Sequence, residues 1–438
     1  MNLKIKNKNL LFLELNEINF EIVIKYINNG NNLTNFKKIL KYKNITTSSE
    51  NKYEEIEPWI QWHSVHTGLS FAEHKIFRLG DGTQCQHAGI YKVLENSGMS
   101  VGAISPMNLK NNLNNPKFFI PDPWTQTKPD NTWWSKKISK FLNQLVNDNA
   151  SSGINISSVF FLFLALMKYS RIKNYFLYLN LAFSSLLGKA WRKALFLDLF
   201  LSDLNISLID KHKPNYSSLF LNGGAHIQHH YFFNSKVINN DKNPNWYVHN
   251  KYDPFLEMLL IYDRILGDII KLNIPLIVAT GMSQTTNETK EYYYRLRDHK
   301  NFLETINIQY ESIHTRMSRD FEINFRNNFD RDIAYNKLAS LKEDKTEINI
   351  FNEIEIRNKS LFVTLTYPIE VTHDSVSTVD NIKIKLDEHF VFVAIKNGKH
   401  QAKGFTFFSK EIKDLIPKNN EHVKNIYNSI IKYFSIVE

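Results

Sequence analysis

The chain has 438 residues, of which 43% are hydrophobic, 13% aromatic and 22% charged, and its 54 Lys and Arg against 44 Asp and Glu give a formal charge of +10. The 31 Phe, 20 Tyr and 7 Trp exclude an intrinsically disordered chain, which does not carry so much aromatic surface. The single cysteine, Cys85, has no partner within the chain, which excludes a disulfide scaffold and permits a reducing compartment. The positive charge suits an anionic partner: a phosphoester, an acidic glycan, nucleic acid or a lipid headgroup.

The first apolar run, Leu10–Leu13, ends at Glu14. It is too short for the apolar core of a signal peptide, and no small-residue cleavage site follows it. We therefore expect no leader and a cytoplasmic protein, and we interpret Leu10–Leu15 as the first buried strand.

Helix and strand patterns alternate along much of the chain. The predicted elements are a helix from Phe20, a helix over His87–Asn96, strands over Val101–Ile104, Ser218–Leu221 and Pro275–Ala279, a helix over Pro254–Leu272, strands over Leu361–Thr366 and His389–Ile395, and a helix over Val423–Phe434. Strand–helix–strand succession favours a largely parallel sheet flanked by helices. The predicted fold class is therefore α/β.

Residues 135–212 have a different composition and predict an α-helical insertion. Its apolar segments are Val159–Met167, Tyr175–Leu187 and Ala190–Leu204. Lys and Arg interrupt each segment before it reaches the length of a transmembrane span. Two interpretations remain: a helical cap packed on the core, or a peripheral membrane contact, for which basic residues interleaved with Phe and Trp191 are typical.

The length is compatible with three domains, but the pattern favours one elaborated α/β domain. We expect the N-terminal half of the core in 1–134, the helical insertion in 135–212, the central part of the core in 213–285, a peripheral helical and loop insertion in 286–360, and the C-terminal part of the core in 361–438.

Polar residues cluster where predicted strands end, which is where sites form in open parallel sheets. The four segments are Glu14–Asn19, Glu57–Gly68, Asn222–His230 and Lys396–Gly404. In the third, His226, His229 and His230 fall within five residues and follow two glycines. Neutral imidazoles are common ligands for zinc and similar metals, so this segment predicts a metal or catalytic site, with chance clustering among 15 histidines as the alternative. In the second, tryptophans bracket Gln61 and precede His63, which predicts either a rigid wall with polar tips or buried core residues.

In this order, the motifs resemble the alkaline phosphatase superfamily, particularly its type I phosphodiesterase and nucleotide pyrophosphatase branch. The segments that carry the resemblance are the first strand with Asn16 and Glu17, Thr67-Gly68-Leu69 with His74, Tyr91–Gly98 followed by Val101–Ile104, Gly223–His229, Pro275–Met282 and Gly398–Gly404. They cover about half of the chain. The resemblance implies a parallel sheet flanked by helices and a phosphoester-cleaving activity.

The departures from the family pattern concern its metal carboxylates and its nucleophile. The nucleophile position falls on Pro58, and Asn16, Ala225 and Ala279-Thr280 stand where the family has acidic or His ligands. His229 and His400 keep two ligand positions. Because neutral replacements cannot hold a second ion, the pattern favours a single divalent metal, zinc or manganese, over a binuclear site. That site needs a further ligand, from Glu14, Glu17, His226 or His230; without metal, the histidines could act as general acid and base.

We therefore predict a hydrolase or transferase that acts on a phosphoester, phosphodiester or glycan-linked anionic group, as in surface-glycan metabolism. The predicted roles are metal ligation by His229, His400, Asn16 and His230, substrate orientation by Gln61, acid–base catalysis by Glu17 or His226, a rebuilt nucleophile at Ser64, and substrate contact by Asn222, His63 and Trp62. The alternative is a catalytically inactive member that binds a glycan, nucleotide or lipid phosphate. No specific nucleic-acid partner is expected, because the chain has no long basic run beyond Lys4–Lys8 and no aromatic–basic motif.

Overall fold

The computed structural model describes residues 8–147, 156–239, 242–315 and 319–436. The chain divides into two compact units, one formed by Met1–Thr286 with Gly398–Glu438 and the other by Asn287–Asn397. Of the basic run Lys4–Lys8, only Lys8 belongs to the described residues.

The strands of the described residues are numbered in chain order. They are β1 Leu10–Leu15, β2 Lys43–Ser48, β3 Val101–Ile104, β4 Phe118–Ile120, β5 Tyr216–Leu221, β6 Leu276–Ala279, β7 Ser283–Leu296, β8 Ser312–Thr315, β9 Asp320–Asn324, β10 Glu353–Arg357, β11 Ser360–Thr364, β12 Val376–Val379, β13 Ile382–Lys385, β14 Phe390–Gln401, β15 Gly404–Phe408 and β16 Glu421–His422.

The α-helices are numbered in the same way. They are α1 Phe20–Asn28, α2 Thr34–Ile39, α3 Pro58–Thr67, α4 Phe71–His74, α5 Ile90–Asn96, α6 Trp133–Asn147, α7 Ile156–Tyr169, α8 Tyr175–Leu186, α9 Arg192–His212, α10 Gly223–Tyr231, α11 Pro254–Ile270, α12 His299–Thr305, α13 Asn328–Ser340, α14 Leu386–His389 and α15 Ile426–Tyr433.

The first unit is built on an eight-stranded sheet with the order β16-β2-β15-β6-β1-β5-β3-β4. Strands β6, β1, β5, β3 and β4 run parallel, and β15 is antiparallel to both of its neighbours. Every residue of β1 and β5 is buried, as expected for central parallel strands that helices cover on both faces. The predicted fold class, a largely parallel sheet flanked by helices, is confirmed by this sheet.

The two faces of β1 build two hydrophobic cores. Leu11, Leu13 and Leu15 join the core on one face, whereas Leu10 and Phe12 join the core on the other. Alternate side chains of a strand point to opposite faces, so a single apolar run supplies both cores. Because β1 pairs in parallel with both β5 and β6, the carboxyl ends of these three strands lie side by side in the middle of the sheet.

The sequence located the elements of this unit well, with differences at their ends. Helix α5 starts at Ile90 rather than His87, because Gly89 adopts an extended conformation and forms the N-cap. Helix α15 starts at Ile426, after a 3₁₀ turn over Val423–Asn425. Such end effects depend on local backbone geometry that periodicity does not encode.

Helices α6 to α9 form the insertion between β4 and β5. Helix α9 packs on β5, α7, α8, α10 and α11, and its Leu195 and Leu199 are buried. None of the described helices combines the length and apolarity needed to cross a bilayer. The insertion therefore contributes to the core of the first unit through the buried residues of α9 and through one side each of α7 and α8.

The second unit contains a four-stranded antiparallel sheet with the order β10-β11-β9-β8. It includes 361–397, which the sequence assigned to the main core, and it has strands in 286–360, where helices and loops were expected. Strand β10 shows the reason: Glu353–Arg357 alternates charged with apolar residues and is largely exposed. A short strand with an exposed charged face resembles a polar loop in sequence.

The start of α10 is fixed by contacts that cross the first unit. The Gly223 N–H donates to Asp198 Oδ2 at 2.8 Å, and the Tyr262 hydroxyl donates to the same oxygen at 2.5 Å while it accepts from the Gly224 N–H at 2.8 Å. A Cβ on Gly223 would lie 2.5 Å from Asp198 Oδ2, so the close approach requires glycine. Burial raises the pKa of Asp198 to about 7.

We expect Tyr262→Phe to lower the free energy of unfolding by about 1–3 kcal/mol, because it leaves the buried Gly224 N–H without a partner and removes one hydrogen bond from the buried Asp198 carboxyl group. Tyr216→Phe is the matched control: Tyr216 is equally buried, but its hydroxyl has no hydrogen-bond partner among the described residues. Its removal should change the free energy of unfolding by less than about 0.5 kcal/mol. Urea denaturation of both variants measures the difference, and equal losses would contradict the assigned role of Tyr262.

Candidate metal centre

The centre begins with a strained turn at the end of β1. Glu17 has φ of +61°, a left-handed conformation that is uncommon for a residue other than glycine. Its N–H donates to the carbonyl of Thr280 at 3.0 Å, and its carbonyl accepts from Gln228 Nε2 at 2.8 Å. Such strain is about 1–3 kcal/mol and persists only where surrounding contacts hold it, often at functional sites.

The turn directs the Glu17 carboxylate between two histidines. Glu17 Oε2 lies 3.2 Å from His229 Nε2 and 3.2 Å from His400 Nε2, and the two Nε2 atoms are 3.2 Å apart. His229 comes from α10 and His400 from β14, so residues far apart in the chain converge on one carboxylate oxygen. The exposed fraction of the side chain is 2% for Glu17, 13% for His400 and 27% for His229, so the group opens to solvent on the His229 side.

The charges of the group are coupled. Burial by itself would raise the pKa of Glu17, but the attraction of His400 and His229 outweighs it and holds that pKa well below its usual range. Burial opposes protonation of His400, but the same carboxylate outweighs this effect, so the pKa of His400 is raised. Glu17 is therefore ionised, and it stabilises positive charge beside it.

Two neighbouring groups orient the donors. Glu57 Oε2 lies 3.4 Å from His400 Nδ1, which turns His400 Nε2 towards Glu17. Gln284 Nε2 donates to Glu17 Oε2, and Asn16 Nδ2 donates to Glu17 Oε1 at 3.0 Å. A carboxylate behind a ligating imidazole is a frequent outer partner in metal sites.

The three donor atoms fit a single divalent cation. Glu17, His229 and His400 form the one group of three metal-binding side chains that the described part of the chain contains. A tetrahedral zinc ion with bonds of about 2.0–2.1 Å needs donors about 3.3–3.4 Å apart, close to the 3.2 Å between each pair here. Three protein ligands with an open position are typical of catalytic rather than structural zinc.

His229 and His400, which the resemblance implies as ligands of one metal site, thus lie together, and Glu17 lies between them. Asn16, also predicted as a ligand, offers its nitrogen to the centre. Trp62 Nε1 can only donate, and it lies 2.7 Å from Asn16 Oδ1, so the amide oxygen faces Trp62 and Nδ2 faces Glu17 and Asn222. Asn16 therefore supports the carboxylate rather than binding a cation. Trp62 and Asn222, which were predicted to contact substrate, form hydrogen bonds with Asn16.

His226 and His230 share α10 with His229, but they lie outside the three-residue group. Their rings pack edge to face with centroids 4.8 Å apart, and His226 is exposed. Successive residues of a helix point in different directions around its axis. His226, His229 and His230 are close in sequence, but their side chains therefore do not all reach one point.

The candidates on α3 face the interior. Ser64 is fully buried, with its Oγ 3.0 Å from His74 Nε2. His74 Nδ1 accepts the N–H of Ile76, so the ring proton resides on Nε2 and is donated to Ser64. His74 therefore does not act as a base towards Ser64, and this geometry does not support a rebuilt nucleophile.

The other two α3 candidates also make interior contacts. His63 Nδ1 donates to the carbonyl of Asn108 at 3.0 Å, and burial lowers the pKa of His63 to about 4. Gln61 Nε2 donates to the carbonyl of Glu55 at 3.0 Å. Both residues are completely buried, so their described partners are structural and none is the Glu17 group.

Sequence reasoning missed three supporting residues: Gln228, Gln284 and Glu57. Gln228 and Gln284 are buried amides that hold the Glu17 backbone and carboxylate, and their types resemble ordinary core polar residues. The sequence could have indicated a structural role for Glu57, because it precedes Pro58 at the start of a helix, where the helix dipole stabilises an acidic residue. Its contact with His400 depends on the tertiary structure and could not be predicted.

Comparison with known proteins gives structural neighbours only. No family model and no curated protein sequence matches the chain. Similar solved structures are phosphonoacetate hydrolase from Sinorhizobium meliloti in complex with phosphonoacetate (10% identity, TM-score 0.45), murine ectonucleotide pyrophosphatase/phosphodiesterase 5 (12%, 0.43) and alkaline phosphatase from the Antarctic bacterium TAB5 (9%, 0.42). Each match covers 98% of this chain, and 96%, 96% and 98% of those chains, respectively. All three are members of the superfamily that the sequence motifs resemble.

We expect zinc to raise the melting temperature of chelator-treated protein more at about pH 8 than at about pH 6, because His400 must lose its proton before Nε2 can bind a cation. The raised pKa of His400 extends this competition to a higher pH than for an ordinary histidine. At about 100 times its Kd, zinc should stabilise the fold by about 2.7 kcal/mol. Thermal unfolding with and without zinc at both pH values measures the effect.

The variants His229→Gln and His400→Gln should lose most of the zinc-induced shift. The matched control is His422→Gln, because His422 also pairs with a glutamate, Glu50, at 3.0 Å and with similar burial. An undiminished shift in the first two variants, or an equal loss in the control, would exclude this centre.

Proposed function

We propose that the protein is a hydrolase or transferase of phosphoesters or phosphodiesters that works with one divalent cation, zinc or manganese, held by Glu17, His229 and His400. The observation that carries the proposal is the convergence of one carboxylate oxygen and two imidazole nitrogens, each pair 3.2 Å apart, at the carboxyl ends of the central parallel strands. Sites of open parallel sheets form at that edge.

The charges of the centre support a cation-dependent reaction. An anionic substrate would meet the carboxylates of Glu17 and Glu57, which repel it unless positive charge lies between them. A divalent cation held there supplies that charge and stabilises the phosphoryl oxygens in the transition state. The ionised state of Glu17 favours such a cation, since a carboxylate must be deprotonated to bind it.

The chain's own residues bind and orient rather than attack. Glu57 and Asn16 hold His400 and Glu17 in place, and His226 is exposed on α10, where we assign it proton exchange with a substrate. Pro58 has no hydroxyl, and the Ser64 hydroxyl is buried against His74. We therefore assign the attacking oxygen to water or to an acceptor hydroxyl, which bonds to phosphorus as the bond to the leaving oxygen breaks.

The second candidate function is a catalytically inactive protein that binds a phosphate-bearing ligand. The same two observations favour it, namely proline at the position of the family nucleophile and the buried Ser64. A glycan-linked substrate, a place in surface-glycan metabolism and a cytoplasmic location stay predictions from the sequence.

We expect the zinc- or manganese-loaded protein to hydrolyse bis(4-nitrophenyl) phosphate or 4-nitrophenyl phosphate. Glu17→Gln should lower kcat by at least about a hundredfold, because it removes the charge that holds the cation. Ser64→Ala should keep kcat within about threefold, since its hydroxyl only accepts a hydrogen bond. Initial rates with purified, metal-quantified variants decide between these outcomes.

If the Ser64→Ala variant shows no turnover although circular dichroism finds it folded and it still binds the cation, catalysis would instead be assigned to Ser64. Cation binding with no turnover of either ester by the unmodified protein would favour the inactive, phosphate-binding alternative. Calorimetric titration with inorganic phosphate would then measure the remaining function.

A further inference from the structure

The outer surfaces of α7 and α8 are apolar and exposed. Phe160, Phe163 and Met167 on α7, with Phe176, Leu179 and Phe183 on α8, form what we call the apolar face, and their exposed fractions lie between 57% and 81%. Both sets have the same spacing of i, i+3 and i+7, which places each set on one side of its helix.

The opposite sides of the same helices are buried. Ala165 and Tyr169 of α7, and Tyr178 and Leu181 of α8, belong to the hydrophobic core of the first unit. The helices are therefore apolar all round but packed on one side only, whereas most soluble monomers expose apolar residues singly. The apolar face is unpartnered in the described residues.

The charge around this face is strongly positive. Residues 131–197 contain nine Lys or Arg and one acidic residue, a net +8 out of the +10 of the whole chain. Arg171 and Lys173 pair with Asp268, and Arg192 pairs with Glu257. No described carboxylate forms an ion pair with the six remaining lysines, which are Lys136, Lys137, Lys140, Lys168, Lys189 and Lys193.

Tryptophans lie between the charged and apolar residues. Trp133 is 53% exposed, and its ring centroid is 6.0 Å from that of Phe161 on α7. Lys168 Nζ lies 4.1 Å from the ring centroid of Trp134. Tryptophan and lysine at the border of an apolar surface are typical of proteins that lie in the headgroup region of a bilayer.

We propose that α7 and α8 dock the protein on the surface of an anionic lipid bilayer, with the apolar face in the outer acyl region and the lysines at the phosphate groups. Charge complementarity favours this occupant over a second copy of the chain, because a two-fold contact would bring together two surfaces that each carry the six lysines without a described carboxylate partner. None of the described helices can span a bilayer, so the contact is peripheral.

The test is co-sedimentation of the full chain with vesicles. The protein should bind vesicles of phosphatidylcholine with about 30 mol% phosphatidylglycerol at least about tenfold more tightly than vesicles of phosphatidylcholine alone, since about 1 kcal/mol accrues per lysine near the surface. High salt should remove most of this preference, because it screens the lysines.

The apolar contribution is tested by Phe163→Ser combined with Phe176→Ser. Loss of two inserted rings should lower partitioning to the anionic vesicles by at least about tenfold. The matched control is Phe329→Ser, because Phe329 is 73% exposed but belongs to α13 of the second unit; it should bind as the unmodified protein does. Circular dichroism verifies that all variants are folded.

The charged contribution is tested by Lys136→Gln, Lys137→Gln and Lys140→Gln together, against Lys41→Gln, Lys43→Gln and Lys410→Gln as an equally charged control. Only the first set should reduce binding to anionic vesicles. No vesicle binding by the unmodified protein, or equal binding by the double phenylalanine variant, would overturn the proposal. Dimers in analytical ultracentrifugation that dissociate in that variant, without vesicle binding, would assign the face to a second copy.

Discussion

The ion pairing of Glu17 with two imidazoles, at a left-handed residue beyond β1, is the constraint on which the candidate centre depends. An isolated buried carboxylate would favour its neutral form, but His229 and His400 keep it charged. The backbone strain at Glu17 is held by contacts with Thr280 and Gln228. Glu17 therefore concentrates negative charge at one point, where the two imidazoles converge, instead of spreading it over several carboxylates.

Neutral amides surround Glu17, and their hydrogen bonds explain how its buried charge is tolerated. Asn16, Gln228 and Gln284 each donate a hydrogen bond to Glu17, and Trp62 fixes the orientation of the Asn16 amide. Neutral donors satisfy the carboxylate without adding charge, whereas further carboxylates would need a second cation. Asn16, which stands where the family pattern has an acidic ligand, thus belongs to a network of neutral donors around the ionised Glu17.

The helical insertion is part of the same arrangement. Asp198 of α9 binds the N-terminal turn of α10, the helix that carries His229, while α9 also supports α7 and α8. One helix therefore joins the candidate centre to the proposed bilayer contact within the first unit. Most of the net charge of the chain belongs to the insertion rather than to the centre.

The sequence by itself determined the α/β class and the central strands, because apolar runs encode them locally. The pairing of His229 with His400 followed only from the resemblance to the family pattern. In the second unit the sequence predicted strands near β11 and β14 but not β10, whose exposed charged face resembles a loop. Only the tertiary structure decided that Glu17 completes the donor set, that Asn16 turns its nitrogen to it, and that Ser64 is buried against His74. These outcomes depend on side-chain direction and on contacts between distant segments, which no spacing in one chain specifies.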